Sequence, residues 1–77
     1  MNVTVRLEGH LREFFPHLRE PRVMTVADGL TVAEIIGLAG LAPELPGAVL
    51  CNRERVDRSH VPAEGDELVL LSPMSGG

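Results

Sequence analysis

The sequence contains no lysine, no tyrosine and no tryptophan, and it has only two phenylalanines. All seven basic residues are arginines, and eleven acidic residues give a formal net charge of −4. Nucleic acids are bound by basic stripes and aromatic platforms, so this composition argues against a nucleic-acid partner. Without lysine the chain has no side-chain amine that could attack an activated carbonyl, although an arginine-biased genome is the simpler explanation.

A single cysteine, Cys51, excludes an internal disulfide framework and a multi-cysteine zinc site. No apolar run approaches the about 20 residues of a membrane span, and residues 1–6 lack the apolar segment of a signal peptide. The sequence therefore predicts a soluble cytoplasmic protein without a membrane partner.

Motifs of common catalytic sites are also missing. The three histidines, His10, His17 and His60, have no metal-ligand spacing and fall in expected surface loops. Cys51 adjoins Leu50 in an apolar segment, so we interpret it as a small buried strand residue, with a nucleophile as the alternative. No two carboxylates suggest an acid–base pair, and the glycines fit no phosphate-binding loop.

The 77 residues, 44% of them hydrophobic, predict a single globular domain. Alternation of apolar and polar residues over 3–7 predicts a first strand, and β-branched residues over 22–26 predict a second, antiparallel to it. Residues 10–16 suggest a short helical turn, with Phe14 and Phe15 packed on the core.

A short amphipathic helix is predicted to begin after Thr31. Glu34 follows Thr31 by three residues, which is the spacing of a capping box, and Gly40 is expected to end the helix. Its expected apolar stripe consists of Val32, Ile35, Ile36 and Ala39.

Three more strands are predicted at 48–51, 55–56 and 68–71, and the continuous apolar run of the last favours a central position in the sheet. One helix can cover one face of one sheet, so we expect an α+β fold. A mixed sheet of four to five strands would be covered on one face by a single main helix. The folded domain would comprise residues 1–71 and a flexible tail residues 72–77.

The tail ends in Gly76 and Gly77, which have no side chains and could pass through a narrow channel. A terminal carboxylate is ionised at neutral pH and can attack the α-phosphate of ATP. Pro73 ends the strand because it lacks a backbone donor. A frayed terminus is the ordinary alternative.

Short segments spread over the whole chain carry a resemblance to a known family. They are 3–7, 11–14, 28–35, 49–53, Val56, 65–69 and 73–77. In their order and spacing, these segments resemble the MoaD/ThiS family of ubiquitin-like β-grasp sulfur carriers. The segment 11–13 and the ending 73–77 are most similar to the molybdopterin branch. Carriers for thiamine, cysteine synthesis or tRNA thiolation share the fold and tail, so the pathway stays open.

The resemblance implies that an E1-like adenylating enzyme of the MoeB/ThiF type activates the Gly77 carboxylate with Mg-ATP. A persulfide donor then displaces AMP and leaves a thiocarboxylate, whose sulfur passes to an acceptor enzyme such as the molybdopterin synthase large subunit. Gly76 would help the narrow tail to extend into the partner enzyme. The chain would be a co-substrate and not an enzyme, and it would bind no cofactor or metal itself.

Partner docking requires an exposed apolar surface. Alignment on the ubiquitin-like pattern places Leu68 and Leu70 under the helix and the alternate residues of the last strand outside. The predicted partner-binding residues are Val49, Val69, Leu71, Pro73, Met74 and Ser75.

Two other hypotheses for the function remain. The chain could be a ubiquitin-like modifier that is conjugated to lysines of other proteins, or an interaction domain whose diglycine is accidental.

Overall fold

Five strands and two short helices form the part of the chain that the computed structural model describes, residues 1–73. The predicted order of strands and main helix is confirmed. The expected helical turn near residue 10 is divided into α1 and a 3₁₀ turn. The elements are β1 Asn2–Glu8, α1 Leu11–Phe14, the 3₁₀ turn Pro16–Leu18, β2 Arg22–Thr25, α2 Val32–Leu38, β3 Ala48–Cys51, β4 Glu54–Val56 and β5 Glu67–Leu71.

The strands form one mixed sheet in the order β2-β1-β5-β3-β4. β5 runs parallel to β1 and antiparallel to β3, and the β1–β2 and β3–β4 pairs are antiparallel. The predicted central position of the last strand is therefore confirmed. β5 is apolar throughout because both of its faces are at least partly covered. Leu68 and Leu70 are fully buried on one face, and Val69 and Leu71 are half-buried on the other.

The helix α2 begins at the predicted capping box. The Thr31 hydroxyl accepts a hydrogen bond from the Glu34 backbone N–H at 3.2 Å, and the Glu34 carboxylate accepts one from the Thr31 N–H at 3.0 Å. Gly40, at a φ of +97°, follows the helix end, where a residue without a Cβ is favoured. The predicted stripe of Val32, Ile35, Ile36 and Ala39 is buried.

The expectation that both phenylalanines pack on the core is wrong for Phe14, whose side chain is 72% exposed. α1 is a single turn in which Leu11 fills the core position. The backbone then leaves the helical region at Phe15, with φ −130° and ψ 78°. This bend lets Phe15 alone pack against the core, where it is half-buried.

Neither helix within residues 1–73 is long and apolar enough to cross a membrane.

Candidate functional site

The chain leaves the sheet at a point fixed by hydrogen bonds. The Ser72 hydroxyl accepts from the Leu11 backbone N–H at 3.0 Å and donates to the Glu8 carbonyl at 2.9 Å. One residue earlier, the Leu71 carbonyl accepts from the Gly47 N–H at 2.9 Å. The end of β1, the start of α1 and the loop before β3 therefore hold the base of the tail.

Two glycines make room for the base of the tail. A Cβ added at Gly47 would lie 2.8 Å from the Pro73 Cα and 2.9 Å from the Ser72 carbonyl oxygen, both backbone atoms. A Cβ at Gly9, where φ is +74°, would lie 2.6 Å from the Ser72 hydroxyl. Sequence reasoning missed this role of Ser72 and Gly47. Their only sequence signal is a small residue at each position.

The outer face of the sheet carries a short apolar strip. Val69 and Leu71 lie opposite Leu50 and Ala48 of β3 in the antiparallel register. Directly paired residues project to the same face, so these four side chains share the face turned away from α2. All four are half-buried. We call them the outer strip.

The prediction that Val49 belongs to this surface is wrong. Val49 pairs with Leu70 and is fully buried, so it faces the core under α2. Leu50 takes the predicted place on the outside. The segment 48–51 is apolar throughout, and a strand without alternation does not reveal which of its residues face outwards.

Charged side chains flank the outer strip on both sides. Arg6 and Glu8 of β1 pair with Val69 and Leu71, and the Arg6 Nε lies 3.0 Å from a Glu8 carboxylate oxygen. On the opposite side, Arg55 of β4 pairs with Leu50. The strip is thus an apolar centre with a charged rim, which is the usual arrangement of a protein-docking surface.

A second apolar surface adjoins the tail. A groove of about 320 Å³ is lined mainly by Leu11, Phe14, Phe15, Leu45 and Pro73. Pro73, a predicted partner-binding residue, is exposed at its edge. The exposed ring of Phe14 forms part of the wall, so the residue that was wrongly assigned to the core borders the base of the tail.

The remaining predicted site residues lie outside the described residues. These residues are Met74, Ser75, Gly76 and Gly77. Their roles stay predictions.

At the opposite end of β5, the thiol of Cys51 donates to a carboxylate oxygen of Asp66 at 3.4 Å. Burial raises the pKa of Cys51 to about 11, and the hydrogen bond and negative charge of Asp66 act in the same direction. The thiol is therefore protonated at neutral pH, which argues against the nucleophile alternative.

Asp66 is itself firmly oriented. Its carboxylate accepts from the Ala63 backbone N–H at 2.9 Å and from the Asn52 side-chain amide at 2.8 Å, and these bonds lower its pKa. His60, expected in a surface loop, is half-buried beside this pair. His17 lies with its Nε2 2.8 Å from the Ala39 carbonyl oxygen, and His10 is exposed.

The sheet order, the single main helix and the tail at the end of the central strand define a ubiquitin-like β-grasp protein. The chain belongs to the ThiS family, whose model matches residues 5–77. A search of curated protein sequences gave no match.

Solved structures support the same class. SAMP1 from Haloferax volcanii is 26% identical over the full length of both chains, with a TM-score of 0.76. A chain in the complex of subunits 1 and 2 of the molybdopterin-converting factor from Helicobacter pylori is 25% identical over both full lengths, with a TM-score of 0.66. The putative molybdopterin converting factor subunit 1 from Pyrococcus furiosus shares the fold at 14% identity, with a TM-score of 0.74 over 96% of this chain and 99% of that one.

Proposed function

We propose that the chain is a sulfur carrier that delivers sulfur from a thiocarboxylate formed at Gly77, and that molybdopterin synthesis receives this sulfur. The observation that carries the proposal is the extent of the family match, which runs through the terminal diglycine to residue 77. The hydrogen bonds of Ser72 support the proposal, because they hold the start of the tail in a defined position on the domain.

The activation chemistry belongs to an E1-like partner that binds ATP and Mg²⁺. A Gly77 carboxylate oxygen attacks the α-phosphorus of ATP, and pyrophosphate leaves. The terminal sulfur of a persulfide then attacks the acyl carbon, and AMP leaves with the electron pair. The product is an acyl disulfide. A second thiol reduces its S–S bond, which releases the thiocarboxylate and forms a disulfide with the donor.

The residues of this chain would bind the partner enzymes and position the tail. Gly76 and Gly77 give the end a small cross-section, and Ser72 fixes where the tail leaves the sheet. The outer strip, Ala48, Leu50, Val69 and Leu71, would dock on the partner enzymes, with the charged rim setting orientation.

The likeness to structures of the molybdopterin-converting factor supports the proposed molybdopterin pathway. The Helicobacter pylori structure holds subunit 1 in complex with subunit 2. We propose that an enzyme of the subunit 2 type accepts the sulfur here. A carrier for thiamine, cysteine synthesis or tRNA thiolation would be activated in the same way and would differ only in its acceptor enzyme.

A second candidate is conjugation to proteins, which the likeness to SAMP1, a small archaeal modifier protein, favours. The same acyl-adenylate would then react with a lysine amine of a target. The chain has no lysine of its own, so lysine-linked chains of this protein cannot form.

The experiment that tests the sulfur-carrier proposal is reconstitution with the E1-like enzyme, Mg-ATP, a persulfide donor and a thiol reductant, read by fragmentation mass spectrometry of the C-terminal peptide. We expect sulfur in place of one oxygen on Gly77. Gly77 deletion should abolish the product, and Gly37→Ala should leave it unchanged, because a Cβ at Gly37 meets no atom within 4 Å. An unmodified carboxylate would contradict the proposal.

A further inference from the structure

Three side chains of different chemistry meet at the end of the sheet opposite the tail. The Cys51 sulfur, a ring nitrogen of His60 and a carboxylate oxygen of Asp66 lie within 4.8 Å of one another. They come from the end of β3, the loop before β5 and the residue that precedes β5. The sulfur-carrier proposal does not use them.

The spacing of these atoms suits a tetrahedral ion. Zinc bonds of about 2.3 Å to sulfur and about 2.0–2.2 Å to nitrogen or oxygen place neighbouring ligand atoms about 3.4–3.6 Å apart. The Cys51 sulfur and the nearer Asp66 oxygen are already 3.4 Å apart. No pair of the three atoms exceeds this ligand separation by more than about 1.4 Å.

The backbone around the cluster holds each residue in place. Cys51 pairs with Leu68 in the sheet. The loop that carries His60 is tied to the start of α2, because the His60 carbonyl accepts from the Val32 N–H at 2.8 Å. Asn52 orients the Asp66 carboxylate from outside the cluster, as a hydrogen-bonding partner of a metal ligand commonly does.

There is also space for an ion and a water molecule. A hollow of about 290 Å³ is lined by these three residues together with Asn52, Glu54 and Val56. A cation bound to the three side chains would keep one position open to solvent. Sulfur, imidazole and carboxylate together are the donor set that zinc takes in proteins, whereas calcium and magnesium take oxygen ligands.

We propose that Cys51, His60 and Asp66 form a zinc site with water as the fourth ligand. Binding forms a zinc–sulfur bond, and the thiol proton leaves to solvent. The ion replaces the hydrogen bond between Cys51 and Asp66. It ties the end of β3 to the loop before β5 and to the start of β5.

The site and the base of the tail lie at opposite ends of β5. Asp66 precedes the strand and Ser72 follows it, so the five residues of β5, about 16 Å, separate the two. The ion would stabilise the fold, and none of its three protein ligands belongs to the tail. The proposal therefore stands or falls independently of the sulfur-carrier function.

The test is titration of the metal-free full chain with Zn²⁺ alone and with Co²⁺ alone, followed by calorimetry and absorption. We expect one ion per chain, a thiolate-to-cobalt charge-transfer band and a higher melting temperature with zinc. Cys51→Ala and His60→Gln should each weaken zinc binding at least about 100-fold, and Asn52→Gly at least about tenfold. Glycine is chosen at Asn52 because φ there is +50°.

His10→Gln is the matched control, because His10 is exposed and lies outside the cluster. If Cys51→Ala fails to fold, Cys51→Ser keeps the size of the side chain and still removes the sulfur. The proposal is overturned if zinc does not bind, if no charge-transfer band appears, or if the Cys51 and His60 variants bind as tightly as the unaltered protein. Equal binding would mark an adventitious ion only.

Discussion

The hydroxyl of Ser72 is expected to stabilise the fold and to fix the start of the tail, and Ser72→Ala tests both. The hydroxyl accepts from the Leu11 N–H and donates to the Glu8 carbonyl, 61 and 64 residues away along the chain. Alanine removes both hydrogen bonds and leaves the two half-buried backbone groups without that partner.

Each such hydrogen bond contributes about 0.5–1.5 kcal/mol net. We therefore expect Ser72→Ala to lower the free energy of unfolding by about 1–3 kcal/mol. A domain of this length has a total stability of about 4–12 kcal/mol, so the loss is a large share. Backbone strain does not contribute, because alanine fits the same conformation and is smaller than serine.

Urea unfolding followed by circular dichroism measures the change. Ser59→Ala is the matched control, because the Ser59 hydroxyl bonds the exposed side chain of Asp57, and its loss should cost under about 0.5 kcal/mol. In the reconstituted reaction, Ser72→Ala should also form thiocarboxylate more slowly at temperatures where it stays folded. An unfolding free energy of Ser72→Ala within about 0.5 kcal/mol of that of the unaltered protein would show that the two hydrogen bonds do not stabilise the fold.

Three further predictions concern the glycine positions, the two faces of β3 and the Cys51 thiol. Gly47→Ala should lower the melting temperature, since its Cβ would meet backbone at the base of the tail, whereas Gly37→Ala should raise stability by about 0.5–1 kcal/mol in thermal unfolding. Val49→Asp should unfold the protein, while Leu50→Asp should leave circular dichroism unchanged and reduce sulfur transfer to the acceptor; the reverse pattern would contradict the register. With a chelator present, the stabilisation from the neutral Cys51 thiol should be complete below pH 9 and lost between pH 9 and 11, because the folded pKa exceeds the unfolded one. No lysine or tyrosine titrates there, and Cys51→Ser should remove this step from urea unfolding curves.

Much of the fold follows from local patterns. The alternation over 3–7 identifies β1, and the Thr31–Glu34 spacing locates the start of α2, because each signal depends on neighbours within a few residues. The unbroken apolar run of β5 indicates its central position for the same reason. Such patterns state which residues are apolar and at what spacing.

The sequence could not predict which residues of β3 face the core and which face outwards. Ala48, Val49, Leu50 and Cys51 are all apolar, and only the antiparallel register with β5 decides that Val49 is buried and Leu50 lies outside. Register depends on pairing across the sheet. A contact between segments distant in the chain leaves no local signal.

The base of the tail and the Cys51 cluster were missed for the same reason. Ser72 meets residues more than 60 positions away. No local sequence pattern marks His60 or Asp66 as a metal ligand. Their proximity to Cys51 depends on how the loop before β5 folds. Spacing rules for metal ligands describe sites within one segment, so they do not detect ligands from three.

The proposed function depends on sulfur at Gly77. The most direct measurement is the mass of the protein isolated from its own host, with fragmentation of the C-terminal peptide. Replacing oxygen by sulfur nearly matches the mass of one added oxygen, and methionine or Cys51 can oxidise, so the shift must be localised. We expect a thiocarboxylate at Gly77. A carboxylate there that stays unchanged after incubation with host extract, ATP and a sulfur donor would contradict it.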